Sequence, residues 1–165
     1  MKTRLCSFDT STNASGVATF DNGLLVDYQL FDFSKNKDTE SRINQMGKAL
    51  LQYLKKQKPD IIWIEHPQGN GRNVSMVGKL CEIIGIVRAY AIEKKIDFHE
   101  LMPSEWRKYC GIKQGSKNRN ELKQLSINYV KENLGIDVNN DVADAISIGY
   151  GVINYYNELK EVNDG

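Results

Sequence analysis

Four carboxylates stand where they could do chemistry together. Asp9 and Glu65 each follow a short apolar run, so each ends a strand expected near the centre of a sheet. Asp141 and Asp144 are three positions apart at the start of a helical segment, which places them on one helix face. A buried carboxylate is costly unless it is paired or holds a cation. The four acids are therefore the first candidate site.

Each acid also has an ordinary structural interpretation. Asp141 suits the first turn of a helix, where the dipole favours negative charge, Glu65 can mark a strand end, and Asp9 can cap a turn. Asp144 is harder to explain in this way because Ala143 and Ala145 flank it. All of these explanations would have to hold at once for the site to be absent.

The expected chemistry is metal-assisted hydrolysis. The sequence places no basic residue clearly beside the four acids, so we expect hard divalent cations to neutralise them. Oxygen ligands suit Mg²⁺, with Mn²⁺ as a substitute. Two such ions about 3.5–4 Å apart can activate water and stabilise the leaving oxygen in phosphodiester cleavage. We therefore expect two ions in the site.

The elements that would position these acids follow from hydrophobic periodicity. Residues 4–12, 15–21 and 24–33 predict three antiparallel strands, with a tight turn at Asn22-Gly23. The later predicted elements are a helix capped by Thr39 or Ser41 and ending near 58, a strand at 60–64, a helix from Asn73 or Ser75 to 94, a strand at 96–102, a short helix at 103–108, and helices at 120–133 and from 141 to about 156. This pattern predicts an α/β protein with a mixed five-stranded sheet and helices on both faces.

Bulk properties limit the class of protein. A length of 165 residues favours one domain, residues 1–165, and no apolar run approaches the length of a membrane span. We read no signal peptide, and three isolated cysteines fit a reducing compartment, so we expect a cytoplasmic protein. The net charge is only +1, so nucleic-acid binding must depend on local basic patches.

Local basic density favours DNA contacts in the second half of the chain. The segment 107–123 is rich in Lys and Arg and nearly free of acid, as phosphate contacts require, although a solvated lysine face would look the same. The candidate DNA-binding residues are Arg72, Asn73, Lys79, Arg107, Lys108, Lys113, Lys117 and Arg119, with Lys123 beside them. Trp106 is interpreted as a packing residue, and His66 either assists proton transfer or forms local contacts.

The helix at about 74–94 predicts a partner chain. One apolar side contains Val74, Val77, Cys81, Ile84 and Ala91, and the other contains Met76, Ile83, Val87 and Tyr90. A helix that is apolar on two sides is buried on two sides. One side can face the sheet, and we expect the other to form a homodimer. Gly78 and Gly85 would allow a close approach there.

Several segments together resemble the RuvC-type Holliday-junction resolvases, which have the RNase H-like fold. The matching segments, in the family's order, are Phe8-Asp9-Thr10-Ser11 with Gly16-Val17-Ala18, Ile62-Trp63-Ile64-Glu65, the helix with Gly78 and Gly85, and Asp141-Val142-Ala143-Asp144-Ala145. The resemblance implies that the four acids are metal ligands. It also implies a homodimer that makes paired nicks across a four-way DNA junction and leaves 5′-phosphate and 3′-hydroxyl ends. The loop after Glu65 lacks the aromatic residue that the family often carries there.

Two other classes remain open at the level of sequence. The segment from Asp9 to Ala18 also resembles the phosphate-binding hairpin of actin-like and sugar-kinase proteins and of related tRNA-modification scaffolds. That interpretation leaves Glu65 and the pair Asp141 and Asp144 unexplained. An RNase H-like nuclease that processes RNA would keep the fold and change the substrate.

Overall fold

The computed structural model describes residues 3–69 and 74–164; of residue 158 and residues 160–164 it describes the backbone only. The strands are β1 (Arg4–Asp9), β2 (Ala14–Asp21), β3 (Leu24–Asp32), β4 (Ile61–Glu65) and β5 (Asp97–Leu101). The helices are α1 (Thr39–Gln57), α2 (Val74–Lys94), α3 (Pro103–Tyr109), α4 (Arg119–Leu134) and α5 (Asn140–Asp164). No helix in the described ranges is long and apolar enough to cross a membrane.

The five strands form one mixed sheet in the order β3-β2-β1-β4-β5. The first three strands are antiparallel neighbours, whereas β4 pairs parallel to both β1 and β5. Asn22 and Gly23 connect β2 to β3 with φ angles of 50° and 85°. Positive φ at both central residues is what a tight hairpin turn of this kind requires, and it explains why Asn-Gly stands there.

Helices cover both faces of the sheet, as predicted. On one face, α1 and α2 pack on residues such as Phe8 and Ile62, which are fully buried. On the other face, α3, α4 and α5 pack on residues such as Leu5 and Phe20. Gly149 lets α5 approach closely, because an added Cβ there would lie 2.1 Å from the Phe20 ring. α5 is therefore held directly against β2.

Some predicted boundaries were wrong for local reasons. β1 ends at Asp9 rather than at residue 12, because the Ser11 hydroxyl accepts hydrogen bonds from the backbone N–H groups of Asn13 and Ala14 and forms a turn. The cap of α1 is Asp38, whose side chain accepts a hydrogen bond from the Ser41 N–H at 3.0 Å. α5 continues to Asp164, beyond the predicted end near 156.

The predicted division of α2 into two apolar sides was also wrong in detail. The residues of α2 that are buried are Ile83, Ile84, Val87, Tyr90 and Ala91, which come from both predicted sides. An exposed row runs along the helix at intervals of three and four residues; this α2 stripe consists of Val74, Gly78, Cys81, Gly85, Ala89 and Ile92. Among the described residues, and apart from adjacent residues and the nearby backbone of α2, an added Cβ at Gly78 or Gly85 would meet no atom within 4 Å. The α2 stripe is therefore apolar and exposed, and it has no side chains at its two glycine positions.

Candidate active site

Asp9 and Glu65 lie side by side at one edge of the sheet. They are the last residues of β1 and β4, which pair in parallel with Phe8 opposite Ile64. The carboxyl ends of parallel strands open together, so the two side chains enter the same space. The proximity of Asp9 and Glu65 therefore follows directly from the parallel register of β1 and β4.

Asp141 and Asp144 reach that space because α5 begins over the end of β1. Gly16, opposite Asp9 on β2, is tightly apposed to α5: an added Cβ there would lie 1.9 Å from the Asp141 carbonyl oxygen. The Ser7 hydroxyl donates a hydrogen bond of 2.7 Å to the Ala145 carbonyl. These two contacts fix the first turn of α5, and with it both aspartates, above the sheet.

All four acids line one cavity of about 550 Å³. Three basic side chains line it as well: Arg107 from α3, and Arg119 and Lys123 from α4. The prediction that no basic residue stands near the acids was therefore wrong. These cations belong to α3 and α4, which pack near the strand ends. The local sequence does not predict that packing.

The acids repel one another across the cavity. Burial raises the pKa of Asp9 well above its ordinary range, and the neighbouring Glu65 and Asp144 raise it further. Burial raises the pKa of Asp144 to about 7; the Ser126 hydroxyl opposes this rise, while Glu65 adds to it. Burial likewise raises the pKa of Asp141, and Lys123 counteracts part of that effect. The cavity thus holds more negative charge than its own cations stabilise.

Glu65 has a specific partner. The indole Nε1–H of Trp106 donates a hydrogen bond of 2.7 Å to Glu65 Oε2. Burial raises the pKa of Glu65, whereas the Trp106 bond and the nearby Arg107 lower it. The prediction that Trp106 packs in the core was confirmed, since it is fully buried, but its polar role was missed. A buried indole N–H usually has an acceptor, so the predicted burial of Trp106 could have prompted a search for its hydrogen-bond partner.

The donor set of the cavity fits a hard divalent cation. Asp144 Oδ1 and Thr10 Oγ1 are both buried without a hydrogen-bond partner among the described residues, and both residues line the cavity. Oxygen donors of this kind suit Mg²⁺. In the described ranges, no three His, Cys, Asp or Glu side chains are already close enough to hold one ion.

The predicted DNA-binding residues do not form one group. Arg107 and Arg119 line the cavity. Lys108, Lys113 and Lys117 are exposed on α3 and on the connection to α4, outside the cavity lining. Lys79 forms ion pairs with Glu40 at 2.7 Å and Glu82 at 3.2 Å, and it does not line the cavity. Arg72 and Asn73 lie outside the described residues.

His66 lies at the edge of the cavity, and its imidazole is hydrogen-bonded to Glu100. Its Nδ1 is 2.6 Å from Glu100 Oε2, and the other oxygen of Glu100 accepts a hydrogen bond from Arg88. The imidazole also lines the cavity beside Glu65. The sequence suggested two roles for His66, proton transfer or local contacts. The contact between Nδ1 and Glu100 is a local one and accounts for one of the two ring nitrogens.

Comparison with known proteins identifies the family. The sequence model of the family described as "Crossover junction endodeoxyribonuclease RuvC" matches residues 14–153 of this chain. The chain belongs to the RuvC family. A curated RuvC from Synechocystis is 29% identical over 132 residues, which cover 79% of this chain and 75% of that protein. RuvC proteins are metal-dependent endonucleases that act as hydrolases in DNA recombination, and the chain is classed with them.

Solved RuvC structures share the fold. Thermus thermophilus RuvC in complex with a Holliday junction substrate superposes with a TM-score of 0.73 at 15% identity, over 94% of this chain and 96% of that one. The yeast mitochondrial Holliday junction resolvase superposes with a TM-score of 0.62 at 16% identity, over 96% of this chain and 81% of that one. The predicted RNase H-like α/β fold is confirmed. The RuvC family match does not favour the nucleotide-binding alternative.

Proposed function

We propose that this protein is a metal-dependent, structure-selective endonuclease that resolves four-way or other branched DNA junctions by paired nicks. One observation carries the proposal: Asp9, Glu65, Asp141 and Asp144 line a single cavity at the strand ends together with three cationic side chains. Membership of the RuvC family supports the same reaction class. The products would carry 5′-phosphate and 3′-hydroxyl ends.

The four acids would hold the metal, and we propose two Mg²⁺ ions, with Mn²⁺ as a substitute. When bound, such ions activate water for attack on phosphorus and stabilise the oxygen that leaves. The chain's own contribution is to position charge. Arg107, Arg119 and Lys123 face the cavity, where they can bind the non-bridging oxygens of the phosphate. Their fixed positive charge also favours the ionised acids, which are the forms that bind metal.

DNA would run from the cavity over the exposed lysines. Lys108, Lys113 and Lys117 are exposed and precede α4, so we propose that they contact the sugar–phosphate backbone without reading bases. Lys79 is less suited to this role because two glutamates already neutralise it. Arg72 and Asn73 follow Glu65 closely in sequence and stay predicted contacts.

We propose a homodimer through the α2 stripe, since paired nicks need two active sites. The stripe is exposed, apolar and free of bulky side chains at Gly78 and Gly85, so a second helix can approach closely. Large exposed apolar surface is typical of protein interfaces. Val74 and Ile92, which are 71% and 72% exposed at the two ends of the stripe, would become buried.

Cys81 provides a direct test of this interface. It is exposed in the middle of the stripe, whereas burial raises the pKa of the Cys6 and Cys110 thiols to about 12. Mild oxidation or a short bis-maleimide should therefore link two chains through Cys81, and Cys81→Ser should abolish the link. Gly85→Leu has room within its own chain, so it should leave the fold intact and yield a monomer in light scattering. A wild-type monomer at micromolar concentration would contradict the interface.

Two broader expectations stay proposals. We propose that residues 1–165 form a single domain, which the one continuous sheet with a hydrophobic cluster on each face supports. We also propose a cytoplasmic location, because the proposed substrate is DNA and the cysteines are free thiols. Limited proteolysis and fractionation of cells, respectively, would check them.

The function is tested by cleavage of end-labelled DNA. Four-way, three-way and linear duplexes would be incubated with Mg²⁺ or with EDTA, using wild type, Glu65→Gln and the exposed control Glu132→Gln. We expect metal-dependent paired nicks in the four-way junction, lost in Glu65→Gln but not in Glu132→Gln. Glu65→Gln should still bind the junction in a gel-shift assay. Active Glu65→Gln enzyme would contradict the metal assignment. Equal cutting of three-way DNA would broaden the substrate to branched DNA in general, and equal cutting of linear duplex would contradict the structure selectivity.

A further inference from the structure

The indole of Trp106 is a buried group that contacts the proposed metal site from outside the cavity. Trp106 is fully buried, and its Nε1–H donates a hydrogen bond of 2.7 Å to Glu65 Oε2. Trp106 does not itself line the cavity. Its direct hydrogen bond to the site is therefore the one to the Glu65 carboxylate.

The position of this indole is set by two elements. α3 begins at Pro103, and Glu105 accepts a hydrogen bond of 2.6 Å from the Met102 N–H, which fixes the first turn. On the other side α5 comes so close that an added Cβ at Gly151 would lie 2.9 Å from the Trp106 carbonyl oxygen. The indole is thus held between α5, which carries two of the acids, and the end of β4.

Burial of an indole does not by itself require this bond. The chain has two tryptophans, and Nε1 of the other, Trp63, is buried with no hydrogen-bond partner among the described residues. Trp63 instead stacks on His99 with ring centroids 4.5 Å apart. The Trp106 bond is therefore a specific feature of its contact with Glu65, and the chain supplies its own matched control.

We propose that Trp106 is a positioning residue: it holds Oε2 of Glu65 so that Oε1 is directed into the cavity for metal. The inference rests on the proposed function, since it assumes that Glu65 is a ligand. A carboxylate with one oxygen fixed has fewer orientations to lose when it binds a cation. The neighbouring Arg107 guanidinium lies 4.6 Å from the centre of the Trp106 ring, so the indole also supports one of the cavity's cations.

The hydrogen bond can be observed without any metal. A ¹H–¹⁵N spectrum of the metal-free protein should contain two indole N–H signals, one for each tryptophan. We expect the Trp106 signal to lie downfield and to exchange slowly with solvent, and Glu65→Gln to move it while the Trp63 signal stays in place. A Trp106 signal that Glu65→Gln leaves unmoved would overturn the contact. This arm needs no substitution of the buried indole.

The effect on metal is measured with Mn²⁺, whose binding is followed by electron paramagnetic resonance. Trp106→Phe keeps an aromatic ring but removes the donor, and we expect it to weaken Mn²⁺ binding about 10- to 100-fold, as loss of an outer-shell partner typically does. Trp63→Phe should leave the affinity within about twofold of wild type. Equal losses in the two variants would overturn the proposal.

A double variant separates positioning from packing. If Trp106 acts through the Glu65 carboxylate, Trp106→Phe should cause no further loss of Mn²⁺ affinity in a Glu65→Gln background. The same loss in both backgrounds would assign Trp106 a packing role only and overturn the proposal. If Glu65→Gln alone leaves Mn²⁺ binding unchanged, the metal assignment itself has failed, together with the proposal. If Glu65→Gln weakens binding and Trp106→Phe does not, only the positioning role has failed.

Discussion

The buried carboxyl of Asp144 makes the metal-free protein less stable as pH rises. Its pKa is about 7 in the folded protein against an ordinary value of 3.8. Between those values the folded state binds a proton that the unfolded chain has released, so the free energy of unfolding falls as pH rises through this window. At 1.36 kcal/mol for each pH unit, burial of this carboxyl costs about 4 kcal/mol at pH 8, where it is ionised, and about 2 kcal/mol at pH 5, where the folded state must retain the proton.

Asp144→Asn removes this cost and keeps the shape of the side chain. In EDTA, we expect urea unfolding to show the variant more stable than wild type by about 4 kcal/mol at pH 8 and by about 2 kcal/mol at pH 5. Asp97→Asn, at an exposed residue at the start of β5, serves as the control and should change the free energy by less than about 0.5 kcal/mol at either pH.

Metal should narrow the difference in stability between the two proteins. Any ligand that binds only the folded state raises stability, by about 2.7 kcal/mol at 100 times its dissociation constant. Mg²⁺ should therefore stabilise wild type at pH 8 more than Asp144→Asn, and the variant should have lost cleavage. A variant that is no more stable than wild type at pH 8, or a difference that does not change with pH, would refute the electrostatic reasoning.

Three further outcomes are expected. Gly16→Ala should lower stability by more than about 2 kcal/mol in urea unfolding, because its Cβ would lie 1.9 Å from the Asp141 carbonyl oxygen; an unchanged midpoint would contradict that close packing. Arg107→Gln should reduce single-turnover cleavage about 100-fold while junction binding persists, since it removes a cation that faces the site; equal losses of binding and cleavage would assign it to binding alone. Lys113→Gln should lower the dependence of log binding constant on log salt by about one unit, and an unchanged slope would remove it from the backbone contacts.

Much of the sheet could be predicted from the sequence because its signals are local. Apolar runs predict the strands. Asn22-Gly23 predicts the hairpin, since a tight hairpin turn of this kind needs positive φ at both central residues. Where local signals compete, the prediction was less accurate. Residues 10–12 continue the extended pattern of β1 in sequence, but the Ser11 hydroxyl satisfies the backbone and ends the strand at Asp9.

The acids of the site were predictable, and their surroundings were not. Asp9 and Glu65 stand at strand ends, so the parallel register alone brings them together. Arg107, Lys123 and Trp106 reach the same place through the packing of α3 and α4 against α5, which depends on contacts far apart in the chain. Sequence periodicity gives the length and faces of a helix but not the position of its ends over a sheet.

The same arrangement explains why the site is both costly and useful. Burial without a full set of counter-charges raises the pKa of Asp9 and Asp144 above ordinary values, so the folded metal-free protein carries unrelieved repulsion. Three cations and one indole hydrogen bond offset part of it and keep the acids ionisable. A cavity balanced completely by its own cations would leave no favourable charge for a divalent ion to meet. The residual repulsion is therefore the part of the folding free energy that metal binding would recover.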